Sequence, residues 1–167
     1  MTEDVVRAKR FELVDDNEDV RGGMEVNELG IARVFLRLPN GTGGVEMNVE
    51  ENGTTNFIMK DEQDRIRSRL SYRSLAATAG PLSLGLVFSD GNKDRAQIGL
   101  SSMVETPSMI LTNQDGAEKV SIAVTETAGA GLTISDEQGK PRAALAIQSD
   151  GTPILYLLDE DGRPSYP

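Results

Sequence analysis

A chain of 167 residues is long enough for one domain with a buried core, or for one short repeat array. It contains neither Cys nor His, which excludes disulfides, thiolate chemistry, His-based acid–base catalysis and the common zinc sites. A net charge of −10 and a pI near 4.5 repel phosphates and anionic membrane surfaces, so nucleic acid is not an expected partner.

The chain opens MTEDVVRAKR, without an apolar run, so neither a signal peptide nor a membrane span is expected. A soluble protein is expected, with no compartment assigned, because removal of an export signal would leave the same start. Only 4% of residues are aromatic and Trp is absent, so any core is aliphatic.

Asp- or Asn-type turns then recur at Asp15, Asn40, Asp61, Ser89, Asn113, Asp136 and Asp159. Their steps of 25, 21, 28, 24, 23 and 23 residues indicate a repeat architecture. Apolar residues fall four and two places before most anchors, as in Phe11 and Leu13, Phe57 and Met59, or Leu132 and Ile134. They return nine and eleven places after, as in Met24 and Val26, Leu70 and Tyr72, or Leu145 and Ile147. Spacing of two is the strand signature, and these residues form a constant inner face. Around Asn40 the return residues Met47 and Val49 come two places early, a shift that keeps the same face inward. Gly85 and Val87 hold the inner positions before Ser89.

The dipeptides Asn40-Gly41, Asn52-Gly53, Asp90-Gly91, Asp115-Gly116, Asp150-Gly151 and Asp161-Gly162 supply the connections. Connections this short join antiparallel neighbours. The expected fold is all-β: repeated antiparallel hairpin units of about 23–25 residues, forming a meander, a sandwich- or barrel-like array, or a fibre-like one. One domain is expected over residues 1–167, with a possible joint at 73–81, where RSLAATAGP is longer and lacks alternation.

At the opposite parity the early units carry Glu12, Glu25, Arg37, Glu46, Lys60 and Arg69, a solvent-facing set. The later units carry Leu86, Phe88, Ile110, Ala123, Ala144, Ala146, Tyr156 and Leu158 instead, so both faces there are expected to be covered. Closure of the array on itself would do this. So would other copies of the chain, a trimer being the most plausible homo-oligomer, or a larger protein assembly. Those eight residues are the candidate interface.

The acid-rich turns Asp136–Gly139 and Asp159–Gly162 lack the closing carboxylate of a calcium loop. Gly41–Gly44 lacks the Lys-Ser/Thr and helix of a phosphate loop. No Gly-x-Ser-x-Gly elbow exists, and no acid pair stands out from the turns. Neither a cofactor nor a catalytic residue is therefore expected. The basic residues Arg21, Arg67, Arg95, Lys119 and Arg142, each six places after an anchor, read as cross-turn ion pairs.

The segments VRAKRFELVDDNEDVRG and SDEQGKPRAALAIQSDGTPILYLLDEDGRP resemble a loose group of bacterial repeat proteins. Their units run Leu-x-Leu-x-Asp-x-x-Gly-x-x-Arg-Ala-x-Leu-x-Val-x-x-Asp-Gly-x-Pro. The resemblance implies a repeated β architecture and carries over no catalytic residues, since the group has no assigned activity. The expected function is that of a non-enzymatic structural or interaction protein. The alternative is a carbohydrate- or small-ligand-binding β module, with a pocket lined by Tyr72, Tyr156 and turn carboxylates.

Overall fold

The computed structural model describes residues 7–72, 82–101, 106–125 and 129–165. The chain divides into two compact units, Met1–Ala77 and Thr78–Pro167. The segment 73–81, read above as a joint, lies outside the described residues.

Unit 1 holds β1 (Arg10–Val14), β2 (Val20–Val26), β3 (Ala32–Leu36), β4 (Gly44–Val49), β5 (Thr55–Lys60) and β6 (Ile66–Tyr72). Unit 2 holds β7 (Leu82–Ser89), β8 (Asp94–Ser101), β9 (Pro107–Thr112), β10 (Glu118–Thr125), β11 (Gly129–Ser135), β12 (Pro141–Ile147) and β13 (Pro153–Leu157). Within each unit every strand pairs antiparallel with the next strand in the chain. In neither unit does the first strand pair with the last, so each is an open meander rather than a barrel. No helix occurs among the described residues.

One loop design makes nearly all the turns. The N–H of a first residue donates to the carbonyl four residues on, and its carbonyl accepts from the N–H three residues on. That third following residue takes positive φ, as at Gly30, Gly41, Gly53, Gly116, Gly139, Gly151 and Gly162. This is a type I turn closed by a left-handed residue, a common three-residue hairpin loop. Glu18 and Asp64 hold the same position at φ 63° and 60°, uncommon for side-chain-bearing residues. Where the first residue is Asp or Asn, its side chain accepts the N–H groups two and four residues on, as Asp136 does from Gln138 and Lys140.

The hydrogen bonds also fix the period. Asp15, Leu38 and Asp61 start equivalent turns 23 residues apart, and so do Asn113, Asp136 and Asp159. The second unit of the repeat is therefore regular. Its anchor is Leu38, and Asn40 instead sits inside the loop, accepting the Thr42 N–H. Met47 and Val49 are not early. The turn between β7 and β8 is the exception, because the Asp90 N–H donates to the Lys93 carbonyl across a loop one residue shorter. Its anchor is Asp90, not Ser89, and it too stands 23 residues before Asn113.

Side chains alternate between two faces, and register aligns them in rows across the strands. In unit 1 the row Phe11, Met24, Val34, Met47, Phe57, Leu70 runs directly opposed from β1 to β6. The inner face read from sequence is thus a real face, but it is not a core. All six residues are exposed in the single chain, because a meander with one layer has nothing to lay over its own apolar side. The buried apolar residues among those described are Phe35, Ile58 and Val87, all on the opposite face.

Candidate functional site

The feature that calls for a function is the apolar face. Unit 2 repeats the unit 1 pattern in Leu86, Ile98, Met109, Ile122, Leu132, Leu145 and Leu155, one residue per strand and directly opposed. Shorter residues interrupt the two flanking rows. Gly22 and Ser68 stand beside Leu36 and Met59 in unit 1, and Ala96 and Ala143 beside Phe88 and Leu157 in unit 2. Exposure reaches 60% at Leu13, 52% at Met47 and 56% at Leu145. Six or seven strands at about 4.8 Å, with three rows spanning five residues, give about 500 Å² of apolar face in each unit. Patches beyond a few hundred Å² mark interaction sites.

The opposite face differs between the units. In unit 1 it carries a polar ladder. The Arg10 guanidinium lies 3.2 Å from Glu25, and Arg33 contacts Glu25 at 2.5 Å and Glu46 at 3.6 Å. Asn48 donates to Glu46, Asn56 donates to Asn48, and the Ser71 hydroxyl donates to Asn56. Glu25 and Glu46, expected in solvent, keep side-chain exposures of only 7% and 15%, because long charged side chains lie over one another. Phe35 sits under them between the Arg33 and Arg37 guanidinium groups, 4.9 and 5.1 Å from its ring centre. Gly23, directly opposite on β2, makes room for that ring; a Cβ there would lie 3.2 Å from it.

In unit 2 this face carries Gly85, Gly99, Ser108, Ala123, Gly131, Ala146 and Ile154 in one row. Val87, Gln97, Ile110, Ser121, Thr133, Ala144 and Tyr156 form the next. Five of the expected interface residues therefore lie together here: Ile110, Ala123, Ala144, Ala146 and Tyr156. Leu158 follows just beyond β13, bridged to Pro164. Leu86 and Phe88 do not join them. They oppose Ile98 and Ala96 on the apolar face, and Val87 takes the far side. The short turn at Asp90 causes this, since counting from Ser89 shifts β7 by one residue and flips every side chain.

The turns form a third surface. Arg21 reaches Asp15 at 3.3 Å, Arg67 reaches Asp61 at 3.4 Å, Arg95 reaches Asp90 at 3.1 Å and Arg142 reaches Asp136 at 2.5 Å. Arg21 also donates to the Arg37 carbonyl, Lys119 to that of Asp136, and Arg142 to that of Asp159, so these cations staple successive turns. The Arg65 side chain, then the N–H groups of Arg65 and Gln63, hold Asp61 down at about 2 against partial burial. The N–H groups of Lys93 and Asn92, then Arg95, hold Asp90 at about 2. Asp15 is lowered chiefly by the Asn17 N–H and Asp150 by the Thr152 N–H. At Asp136 burial is the largest influence and acts upward, but Lys140, Arg142 and Gln138 together outweigh it. Every shift favours the ionised carboxylate, the opposite of what a general acid needs.

A small cleft of about 110 Å³ is lined by Arg33, Phe35, Arg37, Gly43, Gly44 and Lys60, among others. Its cations are engaged with Glu25, Glu46, the Gly41 carbonyl and Asp64. An open hollow of about 400 Å³ lies beside Leu29, Ile31 and Glu50–Asn52. Neither is lined by Tyr72 or Tyr156. Among the described residues no cluster of three or more acidic side chains is arranged to hold a metal, and no helix is long and apolar enough to cross a membrane. No family model matches the chain, and no curated protein matches it.

The apolar face itself was missed as a site by sequence reasoning, which assigned it to the core. Sequence carried no signal for it, because a meander of short-looped strands can close on itself or stay a single layer; here the first and last strands of each unit do not pair.

Proposed function

We propose that this is a non-enzymatic structural or interaction protein that works by covering its apolar sheet face with other copies of the chain. The observation that carries the reading is the unbroken apolar row across all six strands of unit 1, matched by that across all seven of unit 2. Together the units offer about 1,000 Å² of face per copy, against about 800 Å² per partner in a standard stable interface. The repeated unit supports the same role. The far face of unit 2, with Ile110, Ala144 and Tyr156, is the side available to a larger assembly.

Light scattering on a sizing column at several concentrations tests this. A mass above the 18.0 kDa of one chain is expected throughout. One-chain mass at every concentration overturns the proposal.

A further inference from the structure

We infer that three copies assemble so that each unit's sheet forms one wall of a triangular prism, its axis running across that unit's strands and its centre filled by the middle apolar row. This rests on the reading just given, and adds copy number, symmetry and the residues that meet.

The width of the face supplies the first argument. Three apolar rows span five residues, about 17 Å, and three walls of that width enclose a triangle whose centre lies about 5 Å from each wall. Packed sheets stand about 10 Å apart, so side chains from each fill about 5 Å. The prism closes with its centre filled and no channel left.

The second argument is the distribution of side-chain size. In a triangular interior the axis is the point farthest from any wall, whereas the corners are narrow. Middle-row side chains point at the axis and flanking ones run into the adjacent wall. The middle row contains no Gly, Ala or Ser in either unit. The flanking rows contain Gly22, Ala32 and Ser68 in unit 1, and Ala96, Ala130 and Ala143 in unit 2. Two flat sheets packed face to face leave the same gap above all three rows, and would not call for this difference. The unit 1 ladder of Arg10, Glu25 and Arg33 then lies outside, in contact with water.

Symmetry makes the arrangement testable. Around a three-fold axis parallel to the rows, a given middle-row residue meets its own equivalents at every level of the stack. Across a two-fold perpendicular to the rows, only residues near the axis meet themselves, and the others meet different residues; a two-fold parallel to the rows would repeat the self-contacts but in a species of two chains. The chain has no cysteine, so Met24→Cys, Met47→Cys and Met109→Cys each introduce a single thiol. The expected result is a species of three chains by light scattering for the unmodified protein. With a short bismaleimide, each of the three variants should also cross-link to itself. A dimer or tetramer, or self-cross-linking at only one of the three positions, overturns the prism while leaving self-association standing. A single chain at all concentrations overturns both.

Discussion

The two units share an apolar face and differ in what lies behind it. Unit 1 backs it with a ladder of ion pairs and amides from Arg10 to Ser71, and among its described residues Phe35 and Ile58 are the buried apolar ones, Phe35 lying between the Arg33 and Arg37 guanidinium groups. Unit 2 backs it with Gly, Ala, Ser and a few larger apolar residues, of which Val87 is the large apolar one that is buried among the described residues. One apolar face is thus the common requirement of the repeat, and the other face is free to vary. The shared face is apolar throughout its middle row, with Gly22, Thr55 and Ser68 confined to the flanking rows of unit 1. A face that meets water or a different partner can be built in several ways.

The substitution expected to act most strongly tests the shared face. Leu145→Asp places a carboxylate in the middle row of unit 2, where in the assembled state it would have to be desolvated. Loss of the leucine alone removes about 1.5–3 kcal/mol of burial per chain, and the charge adds to it. Light scattering should show single chains, with the β signal of circular dichroism retained. Met47→Asp should do the same from unit 1. Retention of the full assembled mass in both variants would place the interface elsewhere.

A middle-sized effect should come from the ladder that only unit 1 possesses. Glu25→Ala deprives Arg10 and Arg33 of their shared carboxylate. Arg10 keeps Glu12 and Arg33 keeps Glu46, so the cost is about 1–3 kcal/mol rather than that of an isolated buried charge. Urea unfolding should register the loss. Hydrogen exchange should show it first in β1, an edge strand held on one side only. Unit 2, without such a ladder, should be unaffected. A smaller effect is expected from Ala144→Glu with Ala146→Glu, on the far face of unit 2 beside Leu145. Stability should change by no more than about 1 kcal/mol, with the assembled mass unchanged. Dissociation would show that both faces of unit 2 are occupied.

Much of this was legible in the sequence, and particular residues show where legibility ended. The strands and their faces follow from period-two alternation, which register cannot disturb without exposing a whole set. The period was harder to read, since a turn is defined by backbone hydrogen bonds. Leu38 starts one with no acceptor side chain, while Asn40 advertises itself from inside the loop. At Ser89 and Asp90 a loop shortened by one residue made two anchors equally good, and the wrong one moved Leu86 and Phe88 to the wrong side. The exposure of the apolar face was illegible for a different reason: alternation identifies an apolar face, but says nothing of whether the chain itself supplies the cover.

The smallest expected effect distinguishes the units at their turns. Asp61 in unit 1 and Asp90 in unit 2 both titrate at about 2, below the ordinary 3.8. The unfolded chain therefore binds protons first. The stability these carboxylates contribute is present above about pH 4, is lost as pH falls through their folded values near 2, and should appear as acid-induced loosening in that window. The causes differ, however. The foremost influence on Asp61 is the exposed Arg65 guanidinium, 2.8 Å away, whereas that on Asp90 is a backbone N–H. At about 1 M salt the screening length falls to about 3 Å, which weakens attraction between exposed charges more than a hydrogen bond fixed by the loop itself. Carboxylate titrations followed by NMR should show Asp61 moving up toward the ordinary range in high salt while Asp90 stays low. Equal movement of the two would mean that the turn in each unit is held by the same charge interaction, and that the units differ only in their far faces.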